Sequence, residues 1–368
     1  QVPYSSLNYG TDTSPQGRMV IRNLLKATEA GLGDGGMPIF PVHIFKVKEG
    51  VNLNPSDPNY DLFRQAIHVA CKRVSLHFSF LDAPFNLRWY RPGDYTSEAA
   101  YQGNDIRVME NVADPDCVTP CGRGNLSFTS INLPRIALES KGDRSQFYHL
   151  LYRRLELTSR QLRQRMEIQC NRRAYNYPFL MGQGVWIHSD SLRHDDLVEK
   201  VLRQGTLSVG FVGLAEALTA LTGQHHGQSE ESQRLGLEII GRMSRYMESL
   251  CRETGLTWNL IATPNKGTAL RFARLDKKEF GIVPGVTDRE KYTESFLVPD
   301  DGSVDVYQRI QLEAPYHALT LGGHLCRASL DGGEEELEQV LRAMKEAGVG
   351  YAIAGPREIY QSAAGQAL

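Results

Sequence analysis

Stretches whose apolar residues recur every three or four positions alternate along the chain with short, nearly unbroken apolar runs, the pattern of helices laid against neighbouring strands. The first helix is predicted over Pro15–Leu32, with Ser14 as N-cap, Pro15 in the first helical position and glycines at its end. "PIFPVHIFKV" (Pro38–Val47) reads as the strand after it, and Asp57 and Pro58 repeat the start signal ahead of the amphipathic "NYDLFRQAIHVACKR". A second helix-plus-strand unit is complete by about Phe80. Residues 82–120 read as one long connection rich in Pro, Gly, Asp and Asn, and loops of that length are commonly functional. A helix is predicted from about Ser145 to Arg173; its Arg153, Arg154, Arg160, Arg163, Arg165, Arg172 and Arg173 read as a solvated face with buried alkyl stems. Ser229–Gly255 has the clearest helical period, with "LTWNLIATP" as the strand after it, and Glu335–Gly348 leading into "VGYAIAG" repeats that arrangement. The predicted fold class is α/β.

Composition narrows the partners. The 368 residues are 41% hydrophobic, enough for one large α/β domain or two smaller ones. Lys plus Arg number 41 against 43 Asp plus Glu, so there is no basic field for long nucleic acid. The uncharged run Gln204–Ala215 falls well short of the roughly 18 residues of a membrane span. Six cysteines with no CxxC pair and no signal-peptide pattern fit a reducing, cytoplasmic setting. A first residue of Gln1 reads as a piece of something longer.

Ligands in α/β folds sit at strand-to-helix corners, where outward-facing N–H groups attract anions. Three corners stand out. "CGRGNLSFTSINLPRIA" combines Gly122 and Gly124 with Asn125, Ser127, Thr129 and Ser130; "GTLSVGFVGLAEAL" (Gly205–Leu218) carries three glycines without a dinucleotide or P-loop fingerprint; "IATPNKGTALRF" (Ile261–Phe272) offers Thr263, Lys266, Gly267 and Thr268. Each is open to a structural reading as an ordinary turn. His225 and His226, as neighbours in a loop, read as surface residues, and Cys117 and Cys121 form a C-x₃-C pair with no second pair, so no metal site is assigned. His317 and His324 read as satisfied structural histidines near a turn, and there is no nucleophile elbow.

Taken in order, "SLNYGTDTSPQGRMVIRNLLKATEAGLG", "PIFPVHIFKVKEGVN", "DPNYDLF", "SFLDAPFN", "GRGNLSFTSINLPRIA", "YPFLMGQGVW", "GTLSVGFVGLAEAL", "FGIVPGVTDREKYTESFLVP" and "EAPYHALT" resemble the catalytic chain of the anaerobic ribonucleoside triphosphate reductases, a branch of the glycyl-radical enzymes, from about Ser6 to Tyr351. The resemblance implies part of a ten-stranded α/β barrel of the ribonucleotide reductase and pyruvate formate-lyase type. Two antiparallel halves enclose a finger loop in that barrel. It implies a barrel portion over 1–351 and a divergent tail over 352–368. It also implies reduction of ribonucleoside triphosphates: a glycyl radical, generated by a radical-SAM activating enzyme, oxidises a finger-loop cysteine, whose thiyl takes the ribose 3′ hydrogen. Water leaves C2′, and a second cysteine with formate or a thioredoxin-type reductant supplies the electrons. Mg²⁺ accompanies the nucleotide, zinc sits in a C-terminal module, and the chain pairs as a homodimer. Mapped onto this sequence, Asn125 faces the ribose, with Gly124, Ser127 and Thr129 beside it. Thr263, Pro264, Asn265, Lys266 and Gly267 hold the triphosphate.

The sequence also departs from the family pattern. Where the finger loop reads G-C-R-x-R-V, this chain has "GNDIRV" (Gly103–Val108), with Asn104 in the place of the radical-bearing thiol. An amide N–H bond is too strong to cycle hydrogen with a ribose carbon. After Tyr351 neither the zinc module nor the glycyl-radical loop is recognisable, so the chain by itself is not expected to reduce nucleotides. Two readings stand: a barrel portion whose missing parts lie elsewhere, or a non-catalytic nucleotide-binding relative.

Overall fold

The computed structural model describes residues 5–33, 36, 40–73, 76–103, 105–117, 119–262 and 265–357. The first part of the chain forms β1 (Ser6–Tyr9), α1 (Pro15–Ala30), β2 (Val42–Val47), α2 (Tyr60–Ala70), β3 (Leu76–Phe80), α3 (Pro84–Leu87), and the two-residue strands β4 (Ala100–Tyr101) and β5 (Arg107–Val108). The middle forms β6 (Asn125–Asn132), α4 (Leu133–Ser140), α5 (Arg144–Cys170), α6 (Glu199–Leu202), β7 (Thr206–Val212), α7 (Leu214–Thr222) and α8 (Glu230–Thr254). The chain continues through β8 (Thr257–Ile261), α9 (Lys266–Phe280), α10 (Val306–His317), β9 (Cys326–Leu330), α11 (Glu334–Ala347) and β10 (Tyr351–Pro356).

The helix starts follow local chemistry. Ser14 accepts from Gly17 N at 3.0 Å with Pro15 just inside α1. Ser229 caps α8 by accepting from Ser232 N. The Asp57–Pro58 start signal is corrected: Asp57 closes the preceding turn by accepting from Leu53 N and Asn54 N, and α2 begins after Asn59. Arg172 and Arg173 lie beyond α5, whose buried stripe is Phe147, Leu151, Leu155, Leu162 and Met166.

Sheet order carries the architecture. One sheet runs β1-β2-β3-β10-β9, another β6-β7-β8, and β4 pairs with β5 as a small hairpin. β1, β2 and β3 are mutually parallel, and β10 meets β3 antiparallel. β9 is parallel to β10, the bridge Ile261↔Gly323 just before β9 is parallel, and β8, β7 and β6 are parallel in turn. Two parallel groups of opposite direction therefore sit side by side, as expected for antiparallel halves. Among the described residues no ladder joins β1 to β6.

Helices cover one face of each sheet. Phe45, Val47, Phe78, Phe80, Ala328 and Ala352 pack against Leu62, Phe63, Leu337 and Leu341, while Leu207, Val209, Phe211, Trp258 and Leu260 pack against α4, α5, α7 and α8. Each large side chain so buried stabilises the fold by about 1.5–3 kcal/mol. The expected tail boundary at 352 is corrected by the same core: Ala352 and Ala354 are buried in β10, which pairs with β9 as far as Pro356. Residues 358–368 lie outside the described residues. No helix among the described residues is long and apolar enough to cross a membrane.

Candidate active site

Strands alternate their side chains, so with Leu207, Val209 and Phe211 on the helices, Thr206, Ser208 and Gly210 of β7 point the other way, and Asn259 of β8 does the same between Trp258 and Leu260. This inner face is polar. The Asn125 amide nitrogen donates to Ser208 Oγ, and Ser208 Oγ donates to Asn259 Oδ1 at 2.5 Å, a relay across all three strands. Ser208 is fully buried. Gly322 packs so close that a Cβ there would lie 2.2 Å from Asn259 Oδ1, so only glycine fits.

The segment where the resemblance puts the finger loop runs from β4 to β5, and its described residues lie against the same face. Ile106 bridges Gly323, and Arg107 N donates to Gly322 O at 2.9 Å. Gly323 has φ 148°, and a Cβ on it would sit 2.4 Å from Asp105 O. The buried Arg107 side chain fixes the loop base through Asn86 Oδ1 at 2.8 Å, Phe85 O and Leu321 O at 3.0 Å, and the Glu110 carboxylate at 3.0 Å. Asp105 is 9% exposed, with φ 63°. Burial pushes its carboxyl up to about 7, Glu294 acting in the same sense and the Arg327 guanidinium opposing. Arg327 itself pairs with Glu294 at 3.4 Å. Gln102, at the loop base, donates weakly to Arg123 O at 3.5 Å, bringing the loop beside Gly124. Tyr101 stacks on Tyr351, and its hydroxyl meets His324 Nε2 at 2.8 Å.

A cavity of about 730 Å³ opens beside the loop, lined by Asn8, Lys46, Glu98, Tyr101, Gln102 and Cys121 among others. That size suits a small organic ligand. Its wall holds the buried Lys46–Glu98 pair at 2.9 Å, which Thr11 Oγ1 supports at 2.9 Å.

Two of the three strand-to-helix corners differ at their helix starts. At the head of α7, Gly213 N and Leu214 N donate to Thr293 O and Ser295 O, and Glu216 Oε1 accepts from Thr293 N at 2.8 Å, so the segment 293–295 seals this helix start. At the head of α9, Asn265 accepts from Thr268 N at 3.0 Å, and the N–H groups of Lys266 and Gly267 have no partner inside the helix. Both residues are exposed.

The expected site residues thus divide. Asn125 lies on the inner face beside Gly124 and the finger loop. The expectation that Ser127 and Thr129 hold substrate is corrected: Ser127 Oγ accepts from Arg165 at 3.1 Å and Thr129 Oγ1 donates to Gln161 at 3.2 Å, both on α5. A β-bulge between Asn125 and Ser127 is the cause, because it pairs Asn125 with Thr206 but Ser127 with Leu207 and so turns them to opposite faces. Asn104, Thr263 and Pro264 lie outside the described residues. His226 is a buried structural histidine on Phe296 O at 2.8 Å, its ring held near a pKa of about 4 by burial, and His225 pairs with Asp301 at 3.2 Å. Cys121 is exposed and Cys117 half-buried. Ser208 and Asn259 escaped notice in the sequence, although polar residues at alternate positions of "TLSVGFV" and "TWNLI" were their signal.

A family model described as anaerobic ribonucleoside-triphosphate reductase matches residues 1–357. The chain belongs to this family. The Escherichia coli (strain K12) anaerobic ribonucleoside-triphosphate reductase is 34% identical over 330 residues, 89% of this chain and 45% of that protein. The enzyme of the same name from Enterobacteria phage T4 is 30% identical over 345 residues, covering 92% and 54%. The chain therefore spans about half the length of the curated anaerobic reductases it matches. Among solved structures, the Thermotoga maritima anaerobic ribonucleotide reductase with dATP bound in the specificity site superposes with a TM-score of 0.68 at 18% identity, over 96% of this chain and 57% of that one. A structure described for 1,2-propanediol dehydration in Roseburia inulinivorans gives 0.66 at 12% identity, over 98% and 52%. Both share the fold.

Proposed function

We propose that the chain is the nucleotide-holding barrel portion of an anaerobic ribonucleoside-triphosphate reductase, with a ribose on the inner face and a triphosphate at the head of α9. The observation that carries this reading is the Asn125–Ser208–Asn259 relay. Parallel sheets covered on both faces are ordinarily apolar on both; here helices cover one face and the other is polar. The relay pairs these groups with one another, which orients the Asn125 amide on that face. With its nitrogen committed to Ser208, Asn125 keeps its carbonyl oxygen to accept from a ribose hydroxyl. The N–H groups of Lys266 and Gly267, the Lys266 ammonium and the Thr263–Pro264 corner take the phosphates.

Mg²⁺ fits this corner as a companion of the phosphates rather than as a resident ion. Mg²⁺ held on phosphate oxygens and water needs no protein cage. When bound, it neutralises phosphate charge.

Reduction belongs to an assembly that supplies a thiol where this chain has Asn104. Its partners are a radical-SAM activating enzyme, formate or a thioredoxin-type reductant, and a second copy of the chain in a cytoplasmic homodimer. Calorimetry of the 368-residue chain with ATP, CTP, GTP and UTP in the presence of Mg²⁺ tests the holding role. Saturable binding of at least one is expected, and no binding of any at millimolar concentration overturns it. Asn104 favours a second reading, a relative that binds without reducing. Asn104→Cys in the full-length context with the activating partner separates the two: anaerobic turnover supports the reductase, and no turnover despite an observed glycyl radical supports the binding relative.

A further inference from the structure

The spacing of cysteines and histidines along the chain assigns no metal ligand, yet the fold brings three donors together from distant segments. The side-chain donor atoms of Asp114, Cys117 and His188 all lie within 4.8 Å of one another. We propose that these three residues form a zinc site that ties the connection between the finger loop and β6 to the 185–189 segment.

The backbone already holds both sides in place. Cys117 N donates to Asp114 O at 3.0 Å, closing a turn that sets the carboxylate and the thiol of Asp-Pro-Asp-Cys side by side. The buried Asn111 clasps this turn, donating to Cys117 O at 2.9 Å and to Gln204 Oε1 at 2.6 Å, while its own oxygen accepts from Asp114 N at 3.2 Å. On the other side Ile187 N donates to Gly122 O at 2.7 Å, and the next residue, His188, adopts φ 60°. Among the described residues none of the three side chains has a hydrogen bond or ion pair of its own. Arg123 lies close enough to act electrostatically on Cys117 and Asp114, but its hydrogen bonds go to the carbonyls of Thr119, Glu110 and Met109 at 2.8, 3.0 and 2.6 Å, not to the three side chains.

Donor chemistry selects the ion. A thiolate with an imidazole disfavours Mg²⁺ and Ca²⁺ and suits Zn²⁺. Tetrahedral zinc with bonds of about 2.0–2.3 Å needs donors roughly 3.3–3.8 Å apart, which small side-chain rotations reach from the separation seen. Three protein ligands leave the fourth position to water. Because the clamped segment leads directly through Gly122 and Arg123 to Gly124 and Asn125, the ion fixes the approach to the ribose face.

Titration of the chelator-treated full chain with Zn²⁺, in competition with a chromophoric chelator, tests the site. One equivalent is expected to bind, Co²⁺ to replace it with a thiolate-to-metal absorption band, and Cys117→Ser or His188→Ala to weaken binding by roughly a hundredfold or more. Cys121→Ser is expected to leave affinity unchanged. No binding at micromolar Zn²⁺ overturns the proposal, as does unchanged affinity in His188→Ala, whose side chain is exposed and whose loss does not threaten folding.

Discussion

The two faces of β6, β7 and β8 obey different rules. The helix-facing side carries Leu207, Val209, Phe211, Trp258 and Leu260, packed into one apolar cluster with five helices. The inner side carries Asn125, Ser208, Gly210 and Asn259, small groups joined by hydrogen bonds. The first arrangement stabilises the fold and tolerates exchange among apolar side chains as long as volume is kept. The second adds little packing and places directional donors and acceptors beside the Gly322–Gly323 turn against which the loop lies. The same strands thus separate stability from recognition by the pleat alone.

Mutations on each face should break different properties. Leu207→Ala on the helix side is expected to destabilise the chain by roughly 3–5 kcal/mol, read by denaturant unfolding, with nucleotide affinity of the folded fraction unchanged. Next comes Asp105 at the finger loop. Its folded carboxyl titrates at about 7, above the unfolded value, so its contribution to stability is present below about pH 4 and is lost as pH rises through 7. Asp105→Asn should therefore be more stable than the native chain at pH 8 by roughly 2–4 kcal/mol, with the gap closing at pH 4. Glu313, also raised to about 7 by burial, falls in the same window in both proteins and cancels in the comparison. A flat difference across that range in thermal melts contradicts this assignment. Asn125→Ala is expected to weaken nucleotide binding about tenfold with little change in melting temperature, measured by calorimetry. Lys266→Ala should cost about fivefold for triphosphates, less at high salt, and nothing for nucleosides. The smallest effect is expected on the wrong side of the pleat: Ser127→Ala and Thr129→Ala should leave affinity within about twofold, since their hydroxyls meet Arg165 and Gln161.

Much of the fold was legible from local signals. Ser14 with Pro15 and Ser229 marked helix starts within a residue, and period-3.6 runs marked α8 and α11. What failed depends on contacts far along the chain. Asp57 looked like an N-cap, but the turn at Leu53 and Asn54 claims its carboxylate. Asn125 and Ser127, two apart, share a face in any regular strand, and only pairing with β7 reveals the bulge that parts them. The sealing of α7 by Thr293 and Ser295, some eighty residues on, leaves no trace near Gly213. The Arg-rich helix was read correctly as far as Cys170, short of Arg172 and Arg173, because an amphipathic stripe is a local property: Phe147, Leu151 and Leu155 turn inward, while Arg154 pairs with Glu139 at 3.2 Å near the surface.

The most direct test of the central claim is a structure of this chain soaked with a ribonucleoside triphosphate and Mg²⁺. The account predicts a ribose hydroxyl within hydrogen-bond distance of the Asn125 carbonyl oxygen and phosphate oxygens at the N–H groups of Lys266 and Gly267. A sugar seated against Ser127 and Thr129 on the helix side, or phosphates bound away from α9, contradicts it.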